Sequence, residues 1–241
     1  MHRAHAQTFH DSLCNRGMCI KMEKVKLYSK RNSVYRIYNN SKTYIVKKFS
    51  DIDYMLFEAE MLNVLLHSKA SVPKIISVSN DEVMLEDLGD LTFLDWLEKE
   101  ELNSSVTYHK MIIKLLGFLQ KFYKVTNEYY GKQYIINDIN LRNFLVNNNK
   151  VYGIDFELCS EGKIESDIGK MIAYIITYDP IATDWKYKFI NDFVHIFLLN
   201  FNLNVVLLIK EIRLELNKIF DKRNLDINTD DIICKIAEEI I

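Results

Sequence analysis

Apolar and polar positions alternate along the early part of the chain, as they do in strands buried on one face. Val25 and Leu27, then Val34, Tyr35 and Ile37, then Tyr44, Ile45 and Val46 predict paired strands across residues 24–49, with a turn at 39–42 joining the last two. From residue 53 the period becomes helical. Met55, Leu56, Glu58, Met61, Leu62, Leu65 and Leu66 recur at spacings of three and four as far as His67. Residues 72–76 and 83–89 read again as strands, with a turn at Asn80 and Asp81. Beyond residue 89 helices take over. Residues 93–100 follow Thr92, an N-cap residue type, and 106–123 carry the apolar stripe Met111, Ile112, Leu115, Leu116, Leu119 and Phe122. Further helices are expected from Asp167 onward and over 185–199, 205–220 and 229–241.

One stretch fits neither period. Asp138 is followed five residues later by Asn143, then by the apolar run Phe144, Leu145 and Val146, a polar turn at 147–150, a second apolar run at 151–154, and Asp155-Phe156-Glu157. Two short strands joined by a turn return the chain to its starting end, so Asn143 and Asp155 should meet there, with Asp138 at the same end. Carboxylate and amide oxygens are hard donors of the kind Mg²⁺ takes, usually one or two from the protein beside phosphates and water. Such a set suits phosphoryl transfer, in which the metal neutralises charge building on the transferred group.

The spacing resembles the catalytic and metal-binding loops of the protein-kinase-like fold. The ending Ile-Asp-Phe-Glu is similar to the aminoglycoside/choline-type phosphotransferase family and to minimal atypical, RIO-like kinases. The resemblance covers residues 25–178 and implies roles by position. Asp138 would orient the acceptor hydroxyl, and Asn143 and Asp155 would hold Mg²⁺. Lys47, on a strand after Val46, would reach the ATP phosphates, with Lys48 the competing choice because alternation lets only one face inward. Glu58 would pair with that lysine. Ser33 lies where a phosphate-covering loop belongs, and backbone groups from Glu86 to Leu88 would meet the adenine edge. Asp167 matches the acid that braces the catalytic loop.

The chain departs from the family in two places. Residues 29–33 contain no glycine, although such a loop uses glycines to bring amides close to phosphate. Ile136-Asn137 stands where a His normally precedes the catalytic Asp, which costs preorganisation. No long activation segment separates Asp155 from Asp167.

These features predict an α+β, two-lobed protein-kinase-like fold, with a small antiparallel sheet lobe, a mainly helical lobe, and ATP and Mg²⁺ between them. The expected divisions are a poorly ordered extension at 1–21, an N-lobe at 22–88 and a helical C-lobe at 89–241. The expected function is ATP- and Mg-dependent phosphorylation of a hydroxyl on a small molecule, such as an aminoglycoside, choline or a sugar. A minimal atypical protein kinase and an inactive kinase-like binding module are the alternatives. Asp184, Asp192 and Glu215 are acids available to an acceptor site, with no signal choosing among them.

Composition narrows the picture a little further. The 241 residues carry a formal net charge of −2, which gives no reason to expect a nucleic-acid or anionic-membrane surface. No apolar run approaches the roughly 20 residues of a spanning helix. The four cysteines, Cys14, Cys19, Cys159 and Cys234, are too scattered for a disulfide framework or a zinc site and fit a cytoplasmic protein. No partner protein is expected.

Overall fold

The computed structural model describes residues 8–15, 18–39 and 42–240. The chain divides into two units, one of Met1–Gly89 with Asp155–Glu157, the other of Asp90–Ile154 with Leu158–Ile241.

The first unit is an antiparallel sheet with one helix. Its strands are β1 (Thr8–Asn15), β2 (Met18–Leu27), β3 (Ser33–Asn39), β4 (Lys42–Lys48), β5 (Ile75–Ser79) and β6 (Glu82–Glu86), in the order β1-β2-β3-β4-β6-β5. Of the extension expected at 1–21, residues 1–7, 16 and 17 lie outside the described residues. Thr8 to Asn15 pair antiparallel with Val25 to Met18. An edge strand is held by backbone hydrogen bonds to its neighbour whatever its side chains, so the weak alternation of residues 8–15 hid it. Asn40 and Ser41, in the expected turn before β4, lie outside the described residues, while Asn39 pairs with Lys42.

Strand β5 starts at Ile75, three residues later than residues 72–76 implied. Pro73 has no N–H to give a ladder, and the Val72 N–H is already donated to Ala70 O. Helix α1 (Ile52–His67) begins at Asp51, whose side chain accepts the Asp53 N–H. It buries Met55, Glu58, Ala59, Met61, Leu62 and Leu65, so one acid lies on an otherwise apolar face.

The second unit is mainly helical. Helix α2 (Phe93–Leu102) opens on a capping box between Thr92 and Asp95. Helix α3 (His109–Tyr130) runs seven residues past the expected end and stops at Gly131, whose φ of 67° is the left-handed conformation glycine adopts without strain. Two small strand pairs follow: β7 (Tyr134–Ile135) with β10 (Ser160–Glu161), and β8 (Phe144–Asn147) with β9 (Lys150–Gly153). Four helices complete the unit: α4 (Ile164–Thr177), α5 (Asp184–Asn200), α6 (Val205–Arg223) and α7 (Thr229–Ile240).

Helix α4 starts three residues before Asp167, which therefore sits inside its first turn. The stripe Phe189, Phe193 and Phe197 of α5 is fully buried, and each such side chain contributes on the order of 1.5–3 kcal/mol of apolar burial. Helices α4 and α6 meet closely at Gly169, where an added Cβ would lie 2.7 Å from Glu211 Cβ. Among the described residues no helix is long and apolar enough to cross a membrane.

Candidate active site

Four charged residues converge within the first unit. Strand β4 places Lys47 inward, 7% exposed, and turns Lys48 out to the solvent-facing acids Asp81 and Glu82. The Lys47 Nζ lies 2.6 Å from Glu58 Oε2, 2.5 Å from Asp155 Oδ1 and 2.9 Å from Glu157 Oε2. Burial by itself would lower the Lys47 pKa, but the three carboxylates outweigh it and hold the ammonium charged. Glu58 is pushed the other way. Burial, with Asp155 and Glu157 adding to it, raises its carboxyl to about 7 against the pull of Lys47.

One oxygen from each of Glu58, Asp155 and Glu157 lies within 4.8 Å of the others. Three carboxylates against one ammonium leave a formal charge of −3 + 1 = −2 when all are ionised, and all the donors are hard oxygens. The set fits a hard divalent cation such as Mg²⁺ or Ca²⁺. Asp155 has a φ of 63°, a left-handed conformation that short polar residues tolerate better than others.

Glu157 was read from the sequence only as the end of a motif, yet it is a hub. Beyond Lys47 it accepts a 2.5 Å hydrogen bond from Asn32 Nδ2 and lies 3.6 Å from Arg31 Nε. Asn32 Oδ1 in turn accepts the Ser50 N–H. The glycine-free segment is thus tied down by a side chain. Ser33 opens β3 opposite Lys48.

At the other end of the sheet the Glu86 N–H is committed to Lys74 O at 2.9 Å, so it is not spare for a ligand. Asp87 is gripped by Arg36 at 2.7 and 3.0 Å and by the Gly89 N–H. Leu88 is buried.

In the second unit Asp138 and Asn143 lie together. Asn143 ends a 3₁₀ turn, Leu141–Asn143, which is capped by Asn140 accepting the Arg142 N–H. The Asn143 Nδ2 donates to Asp138 O at 2.9 Å, and Asn143 O accepts the Ile154 N–H at 2.9 Å. Ile154 immediately precedes Asp155 in the chain.

Beneath Asp138 lies fully buried Asp167. Its carboxylate accepts the Ile136 N–H at 2.7 Å, the Asn137 N–H at 2.9 Å and the Tyr123 hydroxyl at 3.0 Å. Burial raises the Asp167 carboxyl to about 6, against the lowering effect of these donors and of Lys170. Lys170, which the sequence reading passed over, donates to Asn137 O at 3.1 Å and to Asn137 Oδ1 at 2.6 Å.

Asp167, Lys170 and Tyr174 recur at three and four residues along α4, and their polarity on an apolar helix was a visible signal. Tyr174 donates to Glu215 Oε1 at 3.2 Å, and its phenol is raised by burial, then by Glu215 and Asp138. Of the three acids considered for an acceptor site, Glu215 therefore shares surroundings with Asp138. Asp192 is engaged by the Tyr108 hydroxyl and His109.

No protein-family model matches the sequence, and no curated protein matches it significantly. Solved structures do match. Amicoumacin kinase hAmiN, in complex with AMP-PNP, Ca2+ and Ami, aligns over 90% of this chain and 87% of its own at 15% identity, with a TM-score of 0.52. A protein of Haemophilus somnus 129PT assigned as a fructosamine-3-kinase aligns over 93% of each chain at 16% identity, with a TM-score of 0.46. The small antiparallel sheet, the helical unit and the likeness to the first of these structures make this a protein-kinase-like fold.

Proposed function

We propose that the chain is an ATP- and Mg²⁺-dependent phosphotransferase acting on a hydroxyl of a small molecule. The observation that carries this reading is the Lys47 cluster. A buried lysine held charged among Glu58, Asp155 and Glu157 is what a phosphate- and metal-handling site requires in a kinase-like fold. The AMP-PNP and Ca2+ of hAmiN point the same way.

In this reading Lys47 binds phosphate oxygens and Glu58 fixes its direction. Asp155 and Asn143 hold the metal, with Glu157 a further oxygen in reach. Mg²⁺, when bound, neutralises charge on the phosphates. Asp138 accepts or orients the proton of the attacking hydroxyl. Asn32, tied to Glu157, takes over part of the holding that glycines give other loops, and Ser33 offers its hydroxyl beside it. The carbonyl of Glu86 and the backbone of Leu88 face the base.

A nucleotide-binding module without turnover is the second reading, favoured by the glycine-free segment at 29–33. Thermal melting with ATP, with and without Mg²⁺, separates the outcomes. Ligand at about 100 times its Kd stabilises by about 2.7 kcal/mol, a shift of about 5–11 °C for a chain of this size. The expected result is an Mg-dependent shift in the wild type that Asp155→Ala abolishes, followed by phosphate transfer from labelled ATP to a hydroxyl-bearing amine or sugar. No shift in the folded wild type overturns both readings. A shift without transfer to any acceptor or to water favours the second.

A further inference from the structure

Nothing in the family resemblance accounts for Lys170, and its position is specific. Asn137, the residue before Asp138, has a φ of 65°. Asparagine tolerates this conformation better than most side chains, yet still at a cost of about 1 kcal/mol that its surroundings must meet. Both backbone polar groups of Asn137 are held by α4. Its N–H goes to Asp167 Oδ1 at 2.9 Å and its C=O takes the Lys170 Nζ at 3.1 Å. Its side chain is held as well, with Oδ1 receiving the same ammonium at 2.6 Å and Nδ2 donating to Leu158 O at 3.4 Å. Lys170 thus donates to two oxygens of one strained residue. Asp167 and Lys170 stand three apart on α4, one taking the donors of the loop and the other its acceptors.

We propose that Lys170 is the positioning residue for Asp138, fixing the left-handed Asn137 and through it the direction of the Asp138 carboxylate. This takes over the preorganisation that a His before the catalytic Asp supplies elsewhere. An ammonium suits the task because it is donor-only and can serve two acceptors at once. The catalytic part of the inference rests on the phosphotransferase reading above. The clamp on Asn137 does not.

The test compares wild type, Lys170→Met and Lys170→Arg in the full chain, by amide hydrogen exchange at Asn137 and Asp138 and by hydrolysis of Mg-ATP with water as acceptor. The expected result for Lys170→Met is exchange at these amides at least tenfold faster. Its kcat falls by tenfold or more while KM for ATP stays within twofold, and Lys170→Arg recovers most of both. Wild-type exchange in Lys170→Met overturns the proposal. So does faster exchange with an unchanged kcat, which marks a structural residue only. Should Lys170→Met fail to fold, Asn137→Gly deletes the anchors Oδ1 and Nδ2 and frees the backbone at 137 to leave its left-handed conformation, and the same loss of kcat at constant KM is expected. If the wild type neither binds nor turns over Mg-ATP, the phosphotransferase reading fails separately, and the exchange result alone decides the clamp.

Discussion

Around Lys47, charge holds charge. Four ionisable side chains from β4, α1 and the Asp155–Glu157 segment fix one another, and little backbone is involved. Around Asp138 the arrangement is reversed. There the held groups are the peptide N–H and C=O of residues 136 and 137, and the holders are Asp167 and Lys170 on a helix. Each region is therefore vulnerable in its own way. Removing the lysine from the first leaves carboxylates crowded together with their shared cation gone, whereas removing one group from the second leaves a loop that can drift.

The sharpest way to break this contrast is Lys47→Met. Breaking a buried ion pair costs about 3–5 kcal/mol, and here three acids lose their cation. Buried Glu58 then loses the ammonium that pulls its raised pKa down, so the folded variant binds a proton more readily than its unfolded chain and gains stability as pH falls. Urea unfolding should show a large loss at pH 8 that shrinks toward pH 5. An equal loss at both pH values would sink the charge account.

Next in size is Asp167→Asn. An amide can accept from the Ile136 or Asn137 N–H but sets its own N–H₂ against another donor, and an unsatisfied buried group costs about 1–3 kcal/mol. Because the folded pKa of Asp167 is raised from 3.8 to about 6, the wild type binds the extra proton when folded and loses stability from this group as pH rises through that window. The gap between wild type and variant should therefore narrow between about pH 4 and pH 6 in paired melts. A gap that widens over that range would contradict the burial argument.

Asn32→Ala is the mildest probe. It deletes the partly buried bond to Glu157, worth about 1 kcal/mol, and the exposed bond from the Ser50 N–H, while leaving the Lys47 ion pairs intact. Calorimetry should find a small loss of stability at constant Lys47 protonation. A loss as large as that of Lys47→Met would mean that the segment at 29–33, and not the ion cluster, holds the region.

Much of both regions was legible because chemistry-bearing residues stood out from a regular background. Lys47 sits on an alternating strand, Glu58 on an apolar helical face, and Asp138, Asn143 and Asp155 around two short apolar runs. What escaped had no such contrast. The strand at 8–15 is held by backbone bonds that no side-chain period records. Glu157 looks like any acid after a motif until Asn32, 125 residues away, is found against it. Lys170 offered a helical spacing from Asp167, but its partners are the atoms of a strained peptide, and a left-handed φ at an asparagine is not written in its neighbours.

The contact at Gly169 ties the history of two helices together. On one side α4 presents Asp167 and Lys170 to the loop at 136–138, and on the other it meets α6 so closely that a methyl group at 169 would collide with Glu211 Cβ. Substitutions on α6 near Glu211 and Ile212, though they touch no reacting group, are then filtered by what they do to the register of α4. Drift on the two helices should be epistatic: a larger residue at 169 would be accepted only in backgrounds where α6 has already yielded space.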